Sequence, residues 1–527
     1  MHLRTPRPRL RRGRVLVLST VLLSVAGFAT VTAPAYADQA SAPSALNRTA
    51  AAPAAAPAAS GNLLVDPGGE SAAICSPNGL DGMTVPGWTI TGGEPNAVCY
   101  GAAGGYPTPA TPGSPTRGKA FFAGGATGNS ALSQSVDVSS AASAIDAGGV
   151  GYNLSGWLGG YASQNDRVAL SGTFLDSGGN TLGSTALGPV TNTNRGNTTE
   201  FLQKTGTGTL PVGTRSIKVA LAFTWSAGST TDGYADDLSL TLSAAVPTPA
   251  LTAPPSSVPG YDHVFVVYME NENYENIIGN TSQAPYINSL ASANSVLSQS
   301  YATTHPSDPN YVALAAGGLY GLTDNSVGTT TIDAPHLGNS VEAAGKTWKS
   351  YVQNMPSNCY TQSSGNYSPD DTPFYYFKDM KTDNAYCQAH FQPQTSMVED
   401  LKSTAGTPNF VWFAADGCND MEGCGITAGD NYLKATLPTI FNSPAWTQQR
   451  SLLVLTWDEG ATKAFGPGYP NRVPTILVGS QNSVKTGYQS SQRTDQYGLL
   501  RTVDNALGLT PLTNNDRYAA TVNDTWK

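Results

Sequence analysis

Charge is scarce in this chain. Asp, Glu, Lys and Arg make up 12 % of 527 residues, and only five histidines are present. Lys and Arg number 28 against 37 Asp and Glu, a formal net charge of −9. A chain so poor in basic groups has no face for a phosphate backbone, which argues against nucleic-acid binding. With few charges, the surface must be built from Ser, Thr, Asn, Gln and Gly, as in exported bacterial proteins. The six cysteines include no CxxC pair and no histidine at ligand spacing, so a zinc site is disfavoured. Beyond the N-terminal region, no run reaches the roughly 18 apolar residues that a spanning helix needs.

What is present begins with an export signal. Arg4, Arg7, Arg9, Arg11, Arg12 and Arg14 form a basic region, residues 15–31 are apolar, and Ala35-Tyr36-Ala37 offers a small-residue cleavage site before Asp38. Residues 1–37 are therefore expected to be a signal peptide, with both the general and the twin-arginine routes open. In an exported chain six cysteines predict three disulfides. Proximity suggests Cys75 with Cys99, Cys359 with Cys387, and Cys418 with Cys424.

Composition then divides the chain. Residues 38–60 are rich in Ala, Pro and Ser and are expected to be disordered. Residues 61–244 show short alternating runs broken by Gly, Asn and Asp, which predict a β-sandwich. Residues 245–259 hold five prolines and read as a linker. From residue 260 the pattern changes to continuous apolar runs, HVFVVYM, FVWFA and LLVLTW, separated by helix-like segments. Such runs predict strands covered on both faces, in an α/β domain with a mainly parallel sheet.

Active sites in such sheets lie beyond the carboxyl ends of the strands. Glu270-Asn271 follow the first run and Asp458-Glu459 follow the third, while Asp416 and the segment Cys418–Cys424 follow the second. Ser307 stands before Asp308-Pro309-Asn310 at the start of a helix-like stretch. Oxygen ligands from separate strand ends suit a divalent cation that also holds a phosphate oxygen. A hydroxyl at a helix N-terminus suits a nucleophile. Taken singly, these residues read more simply as turn residues, an N-cap and structural histidines (His263, His305); only their coincidence at the strand ends favours chemistry.

These residues resemble the bacterial and fungal phosphoesterase family of acid phosphatases and phospholipases C, within the alkaline-phosphatase-like superfamily. The matching pieces are VFVVYMENENY ending at Tyr274, APYINSLA, YATTHPSDPNYVAL, DGCNDMEGC, LTWDEG, NRVPTILVG and YGLLRTVDNALGL, in order through most of residues 260–520. The resemblance implies an alkaline-phosphatase-like α/β fold with helices on both faces of the sheet. It implies metal binding by Glu270, Asn271, Ser307, Asp458 and Glu459, with Ser307 as nucleophile and Asn310 near the phosphate. The implied reaction is hydrolysis of a small phosphate ester through a phosphoserine.

Three positions depart from the family pattern, which carries histidine where this chain has Glu272, Glu422 and Gln496. This leaves three readings open: another substrate, carboxylates serving as acids or extra ligands, or reduced activity. Glu422 or Asp420 is the expected general acid. The N-terminal module resembles the galactose-binding-like jelly rolls of secreted enzymes, which implies carbohydrate or cell-surface binding through Trp or Tyr side chains and calcium at the Asp232–Asp237 run. The competing reading makes those tryptophans core and that run a turn. Rival functions are a phospholipase C-like phosphodiesterase and a secreted binding protein with weakened catalysis.

Overall fold

A computed structural model describes residues 59–71, 75, 85–126, 128–325, 327–461 and 471–527. The expected signal peptide and nearly all of the Ala/Pro/Ser-rich segment lie outside the described residues. None of the described helices is long and apolar enough to cross a membrane.

The alternating runs of the N-terminal half become ten strands: β1 (Thr89–Gly92), β2 (Asn96–Cys99), β3 (Ala120–Ala123), β4 (Ser130–Asp137), β5 (Gly151–Gly160), β6 (Arg167–Leu175), β7 (Thr181–Leu187), β8 (Glu200–Thr209), β9 (Ser216–Thr224) and β10 (Gly233–Leu242). They pair antiparallel in two five-stranded sheets, ordered β1-β4-β9-β6-β7 and β2-β3-β10-β5-β8. The period of two sets which residues turn inward. Ile217, Val219, Leu221 and Phe223 of β9 share one apolar cluster with Leu154 and Leu158 of β5 and Leu238 and Leu240 of β10. Trp88 belongs to this core, where its indole N–H donates to Asp66 O at 3.0 Å; Trp157 and Trp225 are half-buried. Asp236, at the end of the acidic run, accepts from Tyr100 Oη at 2.5 Å. The proline-rich segment 245–259 forms neither helix nor strand and lies against the C-terminal residues. There Ser257 N donates to Asn523 Oδ1 at 2.7 Å, and Pro254 O accepts from Arg501.

The second half forms β11 (His263–Met269), β12 (Ser295–Leu297), β13 (Ser300–Tyr301), β14 (Trp348–Val352), β15 (Phe391–Pro393), β16 (Phe410–Ala414), β17 (Ser451–Trp457), β18 (Thr475–Gly479), β19 (Tyr488–Ser490) and β20 (Thr494–Asp495). Eight of these make one sheet, ordered β15-β14-β16-β11-β17-β18-β12-β19. Every residue of β11 is buried because both faces are covered. Val264, Val266 and Tyr268 pack into one cluster with the helices Ser307–Ala316 and Gln496–Leu507, while Phe265, Val267 and Met269 pack into another with Ile426–Phe441.

The sheet is mixed, with five of its seven strand pairings parallel, so the mainly parallel sheet expected from the sequence holds only in part. Strands β15 to β17 run parallel, but β18 pairs antiparallel with β17, and β12 antiparallel with β18. An apolar run such as TILVG signals burial on both faces, not direction. Antiparallel neighbours need no crossover helix, so the chain turns back from Trp457 to Thr475. All six cysteines are paired, as Cys75–Cys99, Cys359–Cys387 and Cys418–Cys424.

The helix Pro285–Ala293 starts on the carboxylate of Asp430, which accepts Tyr286 N at 3.1 Å and Ile287 N at 2.8 Å. Asp430→Ala would leave two helix-start amides without an acceptor. Urea denaturation should show a loss of about 1–3 kcal/mol.

Candidate active site

The residues that leave β11 and β17 are tied to each other by backbone. Asp458 N donates to Met269 O at 3.0 Å, and Asn271 N donates to Asp458 Oδ1 at 2.8 Å. Asn271 reaches that carboxylate in a left-handed conformation, φ 46°, which Asn tolerates better than most residues. Glu270 N donates to Asp420 O at 3.0 Å, so the loop after β16 closes the third side. That loop is held by Asp416, whose Oδ1 accepts Asn419 N at 3.0 Å, and by the Cys418–Cys424 disulfide.

Ser307 enters this space as the first residue of a helix in which all ten residues are buried. Its Oγ stands 3.2 Å from Glu270 Oε2, 3.4 Å from Glu459 Oε1 and 3.5 Å from Asn271 Oδ1. One hydroxyl proton cannot serve three acceptors, and hydroxyl hydrogen bonds are normally about 2.5–3.0 Å. The three oxygens therefore surround Oγ at more than ordinary hydrogen-bond length. His305 Nδ1 pairs with Glu459 Oε2.

The electrostatics are one-sided. Burial, then the charges of Asp458, Asp420, Glu422 and Asp371, push Glu270 well above the carboxylate range. Burial, then Glu459, does the same to Asp458, whose Oδ2 is buried without a hydrogen-bond partner. Burial raises Asp420 to about 7 and Asp308 to about 8, the latter despite a hydrogen bond from Tyr376 Oη. An anionic ligand does not enter such a cluster unless positive charge comes with it.

The structure thus brings together Glu270, Asn271, Ser307, Asp458 and Glu459, with Asp420 behind Glu270. Glu422 is exposed, and its backbone N donates to Asp420 Oδ1 at 2.8 Å. Asn310 is spent on the loop before the helix: Oδ1 accepts Thr303 N and Thr304 N, each at 3.0 Å, while Nδ2 donates to Thr304 O and Pro306 O at 3.0 and 3.1 Å. At the positions of family histidines, Gln496 Nε2 donates to Asp458 O at 3.0 Å and Glu272 Oε2 accepts Asn276 Nδ2 at 2.8 Å. Sequence reasoning missed Asn471, whose Nδ2 donates to Thr304 O at 2.7 Å and whose Oδ1 accepts Gly460 N at 2.8 Å. It lies at the start of NRVPTILVG, but nothing local marks it as the bridge between two distant loops.

A family model described as the phosphoesterase family matches residues 280–510, which include Ser307, Asp458 and Glu459. Over 287 residues the chain is 33 % identical to a phosphatidylinositol-3-phosphatase of Mycobacterium tuberculosis, covering 54 % of this chain and 88 % of that protein. It is 26 % identical to a phosphate-repressible acid phosphatase of Penicillium chrysogenum over 43 % of this chain and 54 % of that one. An acid phosphatase of Aspergillus fumigatus is 25 % identical over 44 % of this chain and 53 % of its own length, so the match spans about half of these fungal enzymes. Among solved structures, an alkaline phosphatase superfamily protein from Vibrio parahaemolyticus aligns with TM-score 0.35 at 12 % identity, over 50 % of this chain and 71 % of that one. The chain belongs to the phosphoesterase family, hydrolases that act on phosphate esters.

The two polar residues at either end of the helix's first turn should separate in their effects. Ser307→Ala should leave the urea unfolding midpoint within about 0.5 kcal/mol of the parent, since it removes no well-formed hydrogen bond. Asn310→Ala should cost about 3 kcal/mol, because buried donors and acceptors of the 303–306 loop lose their partners.

Proposed function

We propose that this chain is an exported phosphatase that hydrolyses phosphate monoesters through Ser307, with a divalent cation held by Glu270, Asn271, Ser307, Asp458 and Glu459. The observation that carries this reading is the ring of oxygens 3.2–3.5 Å from Ser307 Oγ, contributed by the ends of two strands. Cation–oxygen bonds of about 2.1–2.5 Å set neighbouring ligands about 3.0–3.5 Å apart, the spacing observed. Among the described residues no three His, Cys, Asp or Glu side chains form a metal cluster alone. The proposed donor set adds the Asn271 amide and the Ser307 hydroxyl to the carboxylates, and hard oxygens of this kind suit Mg, Ca or Mn better than zinc. Asp458 Oδ2, buried and unpartnered, fits a ligand position.

When bound, the cation supplies positive charge for the phosphate and for the serine alkoxide. The chain does the rest. Ser307 Oγ attacks phosphorus as the alcohol leaves in line, and its proton passes to the carboxylates around it. Water then attacks the phosphoserine, releasing phosphate and restoring the hydroxyl. His305, paired with Glu459, holds that carboxylate on Ser307. Asp420 suits the general acid better than Glu422, since it is buried beside Glu270 and carries its proton up to about pH 7. The relatives are named phosphatases rather than phospholipases, which favours monoesters over diesters. Export rests on the signal-like residues 1–37 and the three disulfides, and residues 61–244 are taken as a jelly-roll accessory domain before the catalytic domain of residues 260–527.

A panel of phosphate monoesters and diesters should show monoester turnover that EDTA abolishes and divalent cation restores. Ser307→Ala should lose turnover by at least about 10³-fold, whereas preserved turnover, or faster diester cleavage, contradicts the reading. The pH profile adds a second check. A donor that must be protonated fails as pH rises, so kcat should fall through about pH 7. Asp420→Asn should lower kcat and flatten that limb; an unchanged profile removes Asp420 from the role.

A further inference from the structure

Asn471, Arg472 and Val473 follow one another in the chain and between them touch each loop that contributes an oxygen to the ring around Ser307. Val473 N donates to Ser300 O at 3.0 Å, and Ala302 N donates to Asn471 O at 2.8 Å, so the segment runs along β13 at the head of the serine loop. Tyr274 N, four residues beyond Glu270, donates to Arg472 O at 2.9 Å, and the Arg472 guanidinium lies over the Tyr274 ring, 4.4 Å from its centre. That guanidinium also pairs with Glu275 and donates to Ser298 O at 3.2 Å. The exit of β11 and the serine loop are joined in this way.

The remaining loop is reached by a side chain. Asn471 is 4 % exposed, its Nδ2 donates to Thr304 O at 2.7 Å, and its Oδ1 accepts Gly460 N at 2.8 Å. Thr304 lies three residues before Ser307, and Gly460 directly follows Glu459. Gly460 suits this contact, because a Cβ there would run into Asn273 Oδ1 and stand 3.4 Å from Asn471 Oδ1. A planar amide holds its donor and its acceptor in one fixed geometry, so the two loops cannot slide past each other without breaking a hydrogen bond at one end. Across this bridge Ser307 Oγ faces Glu459 Oε1 at 3.4 Å.

We propose that Asn471 is a positioning residue for the reaction, whose side-chain amide sets Ser307 against Glu459 by holding the two loops in register. This rests on the reading of Ser307 as nucleophile. The bridge needs a donor at one end and an acceptor at the other, and aspartic acid matches it in shape. While protonated, that side chain is both donor and acceptor; once ionised, it still accepts Gly460 N but turns a negative charge on Thr304 O. Asn471→Asp is therefore a bridge that closes in acid and opens as pH rises, with burial moving the crossing above the ordinary value of about 4.

The test uses the full chain and p-nitrophenyl phosphate, with Asn471→Ala, Asn471→Asp and Ser307→Ala. Turnover is taken per folded molecule, by circular dichroism at the assay pH, and divided by that of the parent at the same pH. Asn471→Ala should lower kcat by about tenfold or more at every pH with KM within about threefold, the signature of misplaced reacting groups rather than lost binding. Asn471→Asp should show that loss at neutral pH and recover most of it in acid. Should Asn471→Ala not fold, Asn471→Ser takes its place, with the same loss expected because the hydroxyl is too short to span both partners. Undiminished kcat in the Ala or Ser variant, a loss confined to KM, or an Asn471→Asp deficit that does not shrink in acid overturns the proposal. Parent-like turnover in Ser307→Ala overturns the nucleophile reading instead, whereas a dead Ser307→Ala beside fully active Asn471 variants overturns only the positioning role.

Discussion

Like charges do not share a buried space without a counterion, and this structure is organised around that constraint. Glu270, Asp458 and Glu459 meet at the ends of two adjacent parallel strands, out of water, and burial pushes the Glu270 and Asp458 carboxyls toward their protonated forms. Their backbones are fixed by each other, through Met269 O, Asp458 Oδ1 and Asp420 O. A rigid ring of oxygens around one hydroxyl is poor design for a folded core and good design for holding positive charge. On the proposed reading, a bound phosphate and an activated serine would both draw on the charge that a cation brings to this ring.

The layers of the fold serve that ring. β11, apolar on both faces, delivers Glu270-Asn271 at its carboxyl end, and β17 delivers Asp458-Glu459 in register beside it. The helix that begins at Ser307 is buried throughout, and Asn310 turns its own amide back to brace the loop that precedes it. A polar residue one turn from Ser307 is thus spent on holding the loop that leads into its helix.

Much of this was legible in the sequence because the signals were local. Apolar runs marked β11, β16 and β17, and acidic residues directly after them marked the strand ends. The serine was legible as Ser-Asp-Pro-Asn at a helix start. What escaped was set by long-range geometry. The sheet turns antiparallel at β18, which an apolar run cannot announce. Asn471 and Gln496 carry no local pattern, yet they hold the backbones of Thr304, Gly460 and Asp458. Glu422 has the right chemistry for an acid, and only the fold shows it facing solvent while Asp420 lies beneath.

An anomalous difference map from crystals grown with Mn²⁺ would show whether the oxygens around Ser307 hold a cation. A single strong peak is expected, bound by Ser307 Oγ with oxygens of Glu270, Asn271 and the Asp458-Glu459 pair. Clear density with no peak there, or an ion held by other residues while the protein turns over substrate, would contradict it.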